Sequence, residues 1–407
     1  MTRLIDMNPS FNDSSKGTPS HCDTTPLNGI RVLAALNGLE LFGHERENLQ
    51  VLESLASMGA EVLLGVNALD DGGDVGRKAR QDGVEVFQLP FGNQWSWQWL
   101  RQYPLSVFEK ANQVIRCSSR FRQAIRDFKP THIHLGSPLA YSFLAPALWI
   151  WNGPLIYRIG DYPPVDSWFN LPIWRSAMKR ATRIIPISDF ITRSIGEVGR
   201  GAFERKIIRI YGTQPSLEMC LPGDPFTIGF VGRLTENKGV FLLLETFGTL
   251  VESIPTATLE FVGSGPAEEL LKRKVMEMRL DDRVRFHGYL QNPREAMRNW
   301  SFQVVPSIWN EALGMVVLEA KALGKPVIVF PRGGLPEMVR HRVDGYVCRD
   351  STTEALLEAL QWMIAQGAKL STMGIEARSD IKTRFGEDGF REQWASVYLQ
   401  SRSAVND

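Results

Sequence analysis

The feature that most limits the fold of this 407-residue chain is a regular alternation of short apolar runs with longer stretches of helical periodicity. Such alternation predicts parallel sheets whose strands are joined by crossover helices. We expect strands near residues 30–36, 61–66, 84–89, 132–135, 155–159 and 183–187 in the first half, and near 226–231, 258–262, 283–286, 302–305 and 326–330 in the second.

The alternation restarts after residues 214–225, whose prolines and glycine are typical of a linker. We therefore predict an α/β protein with two doubly wound Rossmann-like domains, at 28–215 and 216–385, that face each other across a cleft. Residues 1–27 are predicted to be a disordered tail. Residues 386–407 carry Phe390, Trp394 and Tyr398 at four-residue spacing, and we expect a helix that crosses back to the first domain. Linker 214–225 and the chain near Phe385 are the candidate hinges.

Composition excludes several classes of protein. Apolar residues make up 43% of the chain and charged residues 22%, as in soluble globular proteins, and a net charge of +1 gives no indication of nucleic acid binding. Cys22, Cys117, Cys220 and Cys348 lie far apart, so neither a disulfide nor a zinc framework is expected. Residues 1–27 lack the apolar core of a secretory signal, and the uncharged stretch 135–157 contains prolines and glycines that favour a helix followed by a buried strand. The cytoplasm is the expected compartment.

A glycine-bounded loop follows the first strand of the second domain. Residues 232–239 read Gly-Arg-Leu-Thr-Glu-Asn-Lys-Gly and precede a predicted helix at 240–251. A loop between a strand and a helix N-terminus offers free backbone N–H groups and the positive end of the helix dipole, which suit an anion. Arg233 and Lys238 add two full positive charges, so the loop predicts a phosphate site. The same cations are also common in solvated surface loops, and the loop is not a Walker A motif.

Two glutamates lie at the start of another helix, which we expect to begin near Leu313 and to end at Gly324. Glu311 precedes this helix and Glu319 lies inside it. At 1.5 Å per residue their carboxylates are roughly 10–12 Å apart, a span that fits opposite ends of an extended ligand. Carboxylates accept hydrogen bonds from paired sugar hydroxyls, and free N–H groups donate to phosphate. The structural alternatives are a helix cap for Glu311 and an ion pair with a neighbouring lysine for Glu319.

These elements together resemble glycosyltransferase family 4, whose members are retaining enzymes of the GT-B fold. The matching elements are the loop with Arg233 and Lys238, the pair Glu311 and Glu319 within residues 306–326, Gly333-Gly334-Leu-Pro-Glu and Asp344-Gly-Tyr-Val. The resemblance covers about residues 29–400. It implies transfer of a sugar from a nucleoside diphosphate sugar to a hydroxyl of a glycan, a lipid-linked saccharide or a small molecule, with retained anomeric configuration, as in polysaccharide biosynthesis.

The resemblance also implies a role for each residue. Arg233 and Lys238 would hold the diphosphate and stabilise its charge as it leaves, Glu311 would bind donor sugar hydroxyls near the reacting carbon, and Glu319 would bind the ribose hydroxyls. Further donor contacts are implied for Gly232 and for the amides of Leu313, Gly314, Met315 and Val316. Because the family is generally metal-independent and the chain has no Asp-x-Asp motif, no cofactor or metal is expected, and Asp281-Asp282 is interpreted as an ordinary loop.

The first half matches the family more loosely. Residues 42–46, Phe-Gly-His-Glu-Arg, resemble the family's Gly-Gly-x-Glu-Arg loop with Phe42 in place of the first glycine. Gly43 either lets the backbone approach a phosphate or simply starts a helix. Either His132 and His134 form the family's His-x-His, or His134 is its first histidine and Gly136 replaces the second. In both registers His134 is the candidate for contact with the donor sugar; its structural alternative is a buried, hydrogen-bonded imidazole.

Two acceptor-side candidates complete the set. Asp161 follows Gly160, which stands where many family members carry a histidine, so no acceptor-side histidine is assigned. Ser188 closes the strand at 183–187 and is either a substrate contact or the N-cap of the next helix.

Basic stretches at 101–130 and 171–210, the first of which follows Trp95, Trp97 and Trp99, indicate peripheral contact with the anionic inner surface of a membrane. The alternative is a solvated helix face beside tryptophans that fill the core or the loops. Two other functions remain open: a sugar-nucleotide epimerase or hydrolase of the same fold, which needs an acid–base pair that we do not locate, and a non-catalytic nucleotide-sugar-binding protein.

Overall fold

Two parallel six-stranded sheets form the framework of the protein. The computed structural model describes residues 26–41, 43–91, 103, 106–168, 170–215, 217–218, 220 and 226–403. The first sheet has the order β3-β2-β1-β4-β5-β6, and its strands are β1 (Arg31–Ala35), β2 (Glu61–Asn67), β3 (Glu85–Leu89), β4 (His132–Leu135), β5 (Leu155–Ile159) and β6 (Arg183–Pro186). The second has the order β12-β11-β10-β7-β8-β9, and its strands are β7 (Thr227–Val231), β8 (Thr258–Val262), β9 (Val284–Phe286), β10 (Phe302–Val305), β11 (Val327–Val329) and β12 (Gly345–Val347). The predicted fold class is confirmed.

Helices cover both faces of the first sheet. They are α1 (Gly43–Ser57), α2 (Gly73–Gln81), α3 (Ser106–Phe128), α4 (Tyr141–Leu148), α5 (Asn170–Arg180) and α6 (Asp189–Gly199). Leu49, Leu52 and Leu55 form the buried stripe of α1 and pack with α2 on one face, whereas α3, α4 and α5 bury their apolar residues on the other. Residues 135–157 contain α4 and the start of β5, as the prolines and glycines indicate. None of the helices in the described residues has the length and apolar character needed to cross a membrane.

The second sheet is covered in the same way. Its helices are α7 (Val240–Ser253), α8 (Glu268–Glu277), α9 (Arg294–Met297), α10 (Met315–Ala322), α11 (Thr353–Ala365) and α12 (Lys369–Arg384), and α13 (Glu387–Ser403) follows them. On one face α7, α8 and α11 bury their apolar residues, and on the other α10 and α12 do so.

Helix α13 returns to the first domain because α1 and α2 leave part of one sheet face uncovered. Phe390, Trp394 and Tyr398 are buried there with apolar residues of β1, β5 and β6. The backbone oxygen of Tyr398 lies 3.0 Å from Nε2 of His132, and its hydroxyl lies 2.8 Å from Nδ1 of His134. The apolar stripe that predicted a docking helix therefore completes the core of the opposite half of the chain.

The burial of two histidines beneath α13 makes stability sensitive to acid. Burial lowers the pKa of His132 to about 4 and that of His134 to about 3. An unfolded histidine titrates near 6.5, so below that pH the unfolded state binds more protons and the native state loses stability. We expect each histidine to remove about 1.6 kcal/mol of unfolding free energy between pH 6.5 and pH 5.

Urea unfolding of the wild type and of His134→Gln at several pH values tests this. The variant should lose stability less steeply with acid than the wild type, because one buried imidazole that the unfolded chain protonates has been removed. Parallel slopes for the wild type and His134→Gln would contradict the assignment.

Hydrogen bonds join the two domains where the chain crosses between them and also near the cleft. Where the chain crosses between them, the Gln214 amide and the Thr213 hydroxyl both donate to the backbone oxygen of Phe385, at 3.1 and 2.6 Å, so the two candidate hinge segments lie side by side. Residues 216, 219 and 221–225 of the linker are outside the described residues. Near the cleft, the carboxylate of Glu337 accepts hydrogen bonds from the amides of Asp189 and Phe190, at 2.8 and 2.6 Å, and so caps α6 of the other domain.

Candidate active site

The reversal of strand order between β7 and β10 places the two loops of interest next to each other. The chain runs from β7 outwards to β9 and then returns to β10, beside β7. In doubly wound sheets ligands bind beyond the carboxyl ends of the strands at such a reversal. The amides of Ile308 and Trp309, after β10, donate to the Asn237 oxygen, after β7, at 3.0 and 3.2 Å. A Cβ on Gly239 would lie 1.9 Å from the Pro306 oxygen, so this close approach requires glycine.

Lys238 and Glu311 meet between these loops. The Lys238 ammonium forms an ion pair with Oε1 of Glu311, and the Ser307 hydroxyl donates to the same oxygen at 2.6 Å. Both charged side chains are partly buried, with exposed fractions of 30% and 17%. The site therefore holds an oriented cation and an oriented carboxylate that a polar ligand can reach.

The two glycines after β11 fix the position of Glu311. The Gly334 amide donates to the backbone oxygen of Glu311 at 2.7 Å, and a Cβ on Gly333 would lie only 2.0 Å from that backbone oxygen. Gly333 also has a φ of +59°, in the left-handed region that side chains disfavour. The Gly-Gly part of the motif is thus required for the backbone at Glu311.

Substitution of Gly333 should impair the site. We expect Gly333→Ala to lower the unfolding free energy by about 1–3 kcal/mol through backbone strain and to reduce activity by moving Glu311. Gly367→Ala is a matched control, because Gly367 has a φ of +52° but a Cβ there would meet nothing within 4 Å. This control should show the strain without the loss of activity; equal activities of the two variants would contradict the role of the contact.

Arg233 lies in the same loop as Lys238 and is exposed. Among the residues that the structure describes, it has no hydrogen-bond or ion-pair partner, in contrast to Lys238. Gly232 precedes it at the end of β7. An unpaired guanidinium and a partly buried ammonium in one loop favour the binding of an anion at this edge of the sheet.

The start of α10 adds backbone donors. Leu313 is buried, Gly314 is the N-cap, and Met315 and Val316 form the half-buried first turn. The first N–H groups of a helix have no intrahelical acceptor, so they are available to an anionic ligand.

Glu319 lies one turn further along α10, with only 8% of its side chain exposed. Burial raises its pKa, while the positive charges of Arg46 and Arg294 act in the opposite direction. Nη1 of Arg46, from α1 of the first domain, donates to Oε1 of Glu319 at 3.1 Å. This carboxylate therefore faces the cleft and is contacted from across it.

The first domain contributes Gly43, the exposed first residue of α1, and Asp161, exposed after β5. Phe42, the substituted position of the loop, lies outside the described residues. A Cβ on Gly160 would lie 2.5 Å from Nδ1 of His44, so the absent side chain at 160 leaves room for the His44 ring. Sequence reasoning did not single out His44.

His134 and Ser188 are not brought to these loops. His134 is fully buried between the Tyr398 hydroxyl and Oδ1 of Asn48, which lies 3.3 Å from its Nε2, and its low pKa leaves it neutral. The Ser188 hydroxyl accepts from the Ile191 amide at 3.1 Å and is the N-cap of α6. Both residues thus have the contacts of their structural alternatives, and a direct role in transfer stays a prediction.

The Asp-Gly-Tyr-Val motif also has a structural explanation. Asp344 and Asp380 are buried around the ammonium of Lys321, which lies on α10 behind the cleft. The backbone oxygen of Met338 accepts from the same ammonium at 2.7 Å. The structural alternative for Glu319 was an ion pair with a neighbouring lysine, Lys321 or Lys325, but the Lys321 ammonium contacts the two aspartates and Glu319 contacts Arg46.

Two family models match the chain, one in each domain. The model described as Glycosyl transferase 4-like domain matches residues 42–210, and the one described as Glycosyl transferases group 1 matches residues 220–380. The chain belongs to this family of glycosyltransferases, which confirms the resemblance drawn from the loops of the second domain.

Relatives agree with this placement. D-inositol 3-phosphate glycosyltransferase of Streptomyces griseus is 31% identical over 194 residues, 45% of this chain and 41% of the relative. Sulfoquinovosyl transferase of Arabidopsis thaliana is 27% identical over 272 residues, 60% of this chain and 51% of the relative. The chain spans about half the length of these curated relatives. The structure of HepE of Anabaena in complex with UDP and glucose aligns with a TM-score of 0.73 at 21% identity, covering 91% of this chain and 99% of that chain, and shows the GT-B fold.

Proposed function

We propose that the protein is a retaining glycosyltransferase that moves a sugar from a nucleoside diphosphate sugar to an acceptor hydroxyl. The observation that carries the proposal is the meeting of Lys238 and Glu311 at the strand reversal, beside the unpaired Arg233 and the first turn of α10. The presence of UDP and glucose in the HepE structure, which shares the fold, supports a donor of this class.

The second domain binds the donor. The diphosphate takes Arg233, Lys238 and the amides at residues 313–316 as its partners, and the Lys238 ammonium then divides its hydrogen bonds between phosphate and Glu311. Glu311 accepts from hydroxyls of the donor sugar, and Glu319 accepts from the ribose. Arg233 and Lys238 neutralise the diphosphate charge that a divalent metal would otherwise neutralise, and we propose that no metal or other cofactor takes part.

Transfer proceeds on one face of the sugar. The bond between the anomeric carbon and the diphosphate oxygen breaks, and the acceptor oxygen bonds to the same carbon from the same side. The acceptor proton passes to an oxygen of the departing diphosphate. Arg233 and Lys238 stabilise the charge that develops on the diphosphate, a preorganised electrostatic effect.

The acceptor enters from the first domain, near Asp161 and the exposed Trp168. A cytoplasmic protein at the membrane surface is the setting we propose, because α3 exposes Val107, Phe108 and Ile115 on a helix rich in arginine. Trp95, Trp97 and Trp99 lie outside the described residues. Flotation with anionic liposomes tests this part separately, and absence of binding at low salt would refute it.

A panel of UDP-, GDP-, ADP- and TDP-sugars in a thermal-shift assay tests the donor. A ligand at about 100 times its Kd stabilises a protein by about 2.7 kcal/mol, so the donor should raise the unfolding temperature clearly above the other nucleotide sugars. NMR of that donor alone and with candidate acceptors then separates transfer from hydrolysis, epimerisation or binding without turnover. Failure of every nucleotide sugar to stabilise the protein would refute the proposal.

A further inference from the structure

We infer that Arg46 is a positioning residue for the donor: from the first domain it orients the Glu319 carboxylate that binds the ribose in the second. This inference rests on the proposed function and concerns a side chain outside the diphosphate loops.

Arg46 and Glu319 form a hydrogen bond between the two domains. Nη1 of Arg46 lies 3.1 Å from Oε1 of Glu319, although the two residues are 273 positions apart. Glu319 is nearly buried in α10, whereas about half of the Arg46 side chain, 52%, is exposed in the cleft. The guanidinium therefore reaches the carboxylate from the open side of the site, where a ligand must enter.

The hydrogen bond leaves half of the carboxylate for a ligand. Within the described residues, the hydrogen bond to the Glu319 carboxylate comes from Arg46, and Oε1 accepts it. Oε2 accepts no hydrogen bond from them. A ribose carries two neighbouring hydroxyl donors, and a carboxylate whose rotation is fixed by one arginine nitrogen presents its remaining lone pairs in a defined direction. Arg46 also has further N–H donors that can reach ligand oxygens.

The charge of Arg46 also affects the state of the carboxylate. Two cations face Glu319, Arg46 from α1 and Arg294 from α9, while Lys321 of the same helix turns away to Asp344. Burial raises the pKa of Glu319 and both arginines lower it. Only the ionised carboxylate is purely an acceptor, so the charge of Arg46 favours the form of Glu319 that binds two hydroxyls.

The neighbouring packing holds Arg46 in place. Glu47 is buried beside it and is paired with Arg158 at 3.3 Å. A Cβ on Gly212 would approach Oε1 of Glu47 at 3.2 Å and Sδ of Met315 at 2.9 Å, so the first turn of α1 lies against the first turn of α10. The Arg46–Glu319 bond joins the two domains, so it couples ribose binding to their arrangement.

The test measures donor affinity against pH for the wild type, Arg46→Ala and Arg46→Lys, with the nucleotide sugar that stabilises the wild type. Donor binding weakens as pH falls through the pKa of Glu319. Loss of Arg46 raises that pKa, so Arg46→Ala should weaken donor binding about tenfold near pH 7. It should also move the acidic limb of the affinity profile, where binding weakens with falling pH, to higher pH. Arg46→Lys keeps the charge and should restore the position of the limb with only part of the affinity. Turnover at saturating donor should change much less than KM.

Controls separate this role from general effects. Arg77→Ala removes another exposed arginine of the first domain, paired with Asp74, and should bind donor as the wild type does. In a Glu319→Gln background the further change Arg46→Ala should no longer move the acidic limb, because the titrating group is gone. Unchanged affinity and limb in Arg46→Ala would overturn the inference, and so would tighter binding, which would mean that Arg46 blocks the ribose site. A wild type that binds no nucleotide sugar would instead refute the proposed function.

Discussion

Replacement of Lys238 by alanine should lower turnover by about 10²–10³-fold, the usual cost of removing one preorganised charge from an active site. Lys238 is held at the strand reversal by Glu311, so its charge is in place before the diphosphate leaves. Arg233→Ala should have a similar effect, because Arg233 supplies the second cation of the same loop. Initial rates of sugar transfer at saturating donor measure both.

The fold should survive these substitutions. Arg233 is exposed and Lys238 is partly exposed, so neither supports the core, and urea unfolding should change by less than about 1 kcal/mol. Lys274→Ala is the matched control: it removes a lysine of the second domain that pairs with Glu245 at 3.2 Å on the surface, and it should keep normal turnover. Near-normal turnover of both Arg233→Ala and Lys238→Ala would refute the assigned chemistry.

Replacement of Lys321 by alanine should instead lower the unfolding free energy by about 3–5 kcal/mol, as expected when one partner of a buried ion pair is removed. The Lys321 side chain is fully buried, as is that of Asp344, and the variant removes the buried ammonium that lies between Asp344 and Asp380. Burial alone would raise the pKa of Asp380, but Lys321 and Arg384 outweigh it and the pKa is lowered. Without the ammonium, part of that effect is lost and the carboxylate is costly to bury.

Urea unfolding at pH 7 measures this loss. Lys382→Ala, at an exposed position of α12, is the control and should cost little. Arg340 and Arg384 also contact the two aspartates, so a loss near the lower end of the range would indicate that they compensate. A loss below about 1 kcal/mol would contradict the structural role of the cluster.

The sequence predicted the elements whose signals are local. Buried strands in crossover folds are nearly continuous apolar runs, and β4, β5, β8 and β10 begin and end where those runs do. Strand β12 was missed because it has only three residues and its edge position depends on pairing with β11. The loops that we propose for donor binding stand out in the sequence because glycines, cations and carboxylates keep a fixed spacing there.

Features that depend on tertiary contacts were beyond sequence reasoning. His132 and His134 lie on one face of β4, and that face is buried by a helix about 260 residues further along the chain. Arg46 belongs to the loop at 42–46 that matches the family, but its hydrogen bond to Glu319 depends on the arrangement of the two domains. Glu337 is similar, since its motif gives no indication that it caps a helix of the other domain.

The adjacent crossovers at Gln214 and Phe385 determine how the two halves can move. The chain passes between the domains twice at this point, and hydrogen bonds join the two connections. They oppose sliding of one domain past the other, so rotation of the domains about this point costs the least free energy. Atoms close to the pivot then travel little, while the distant rim sweeps through the largest arc. A pair of spectroscopic labels at the rim would therefore report substrate-driven rotation far more sensitively than a pair near the pivot.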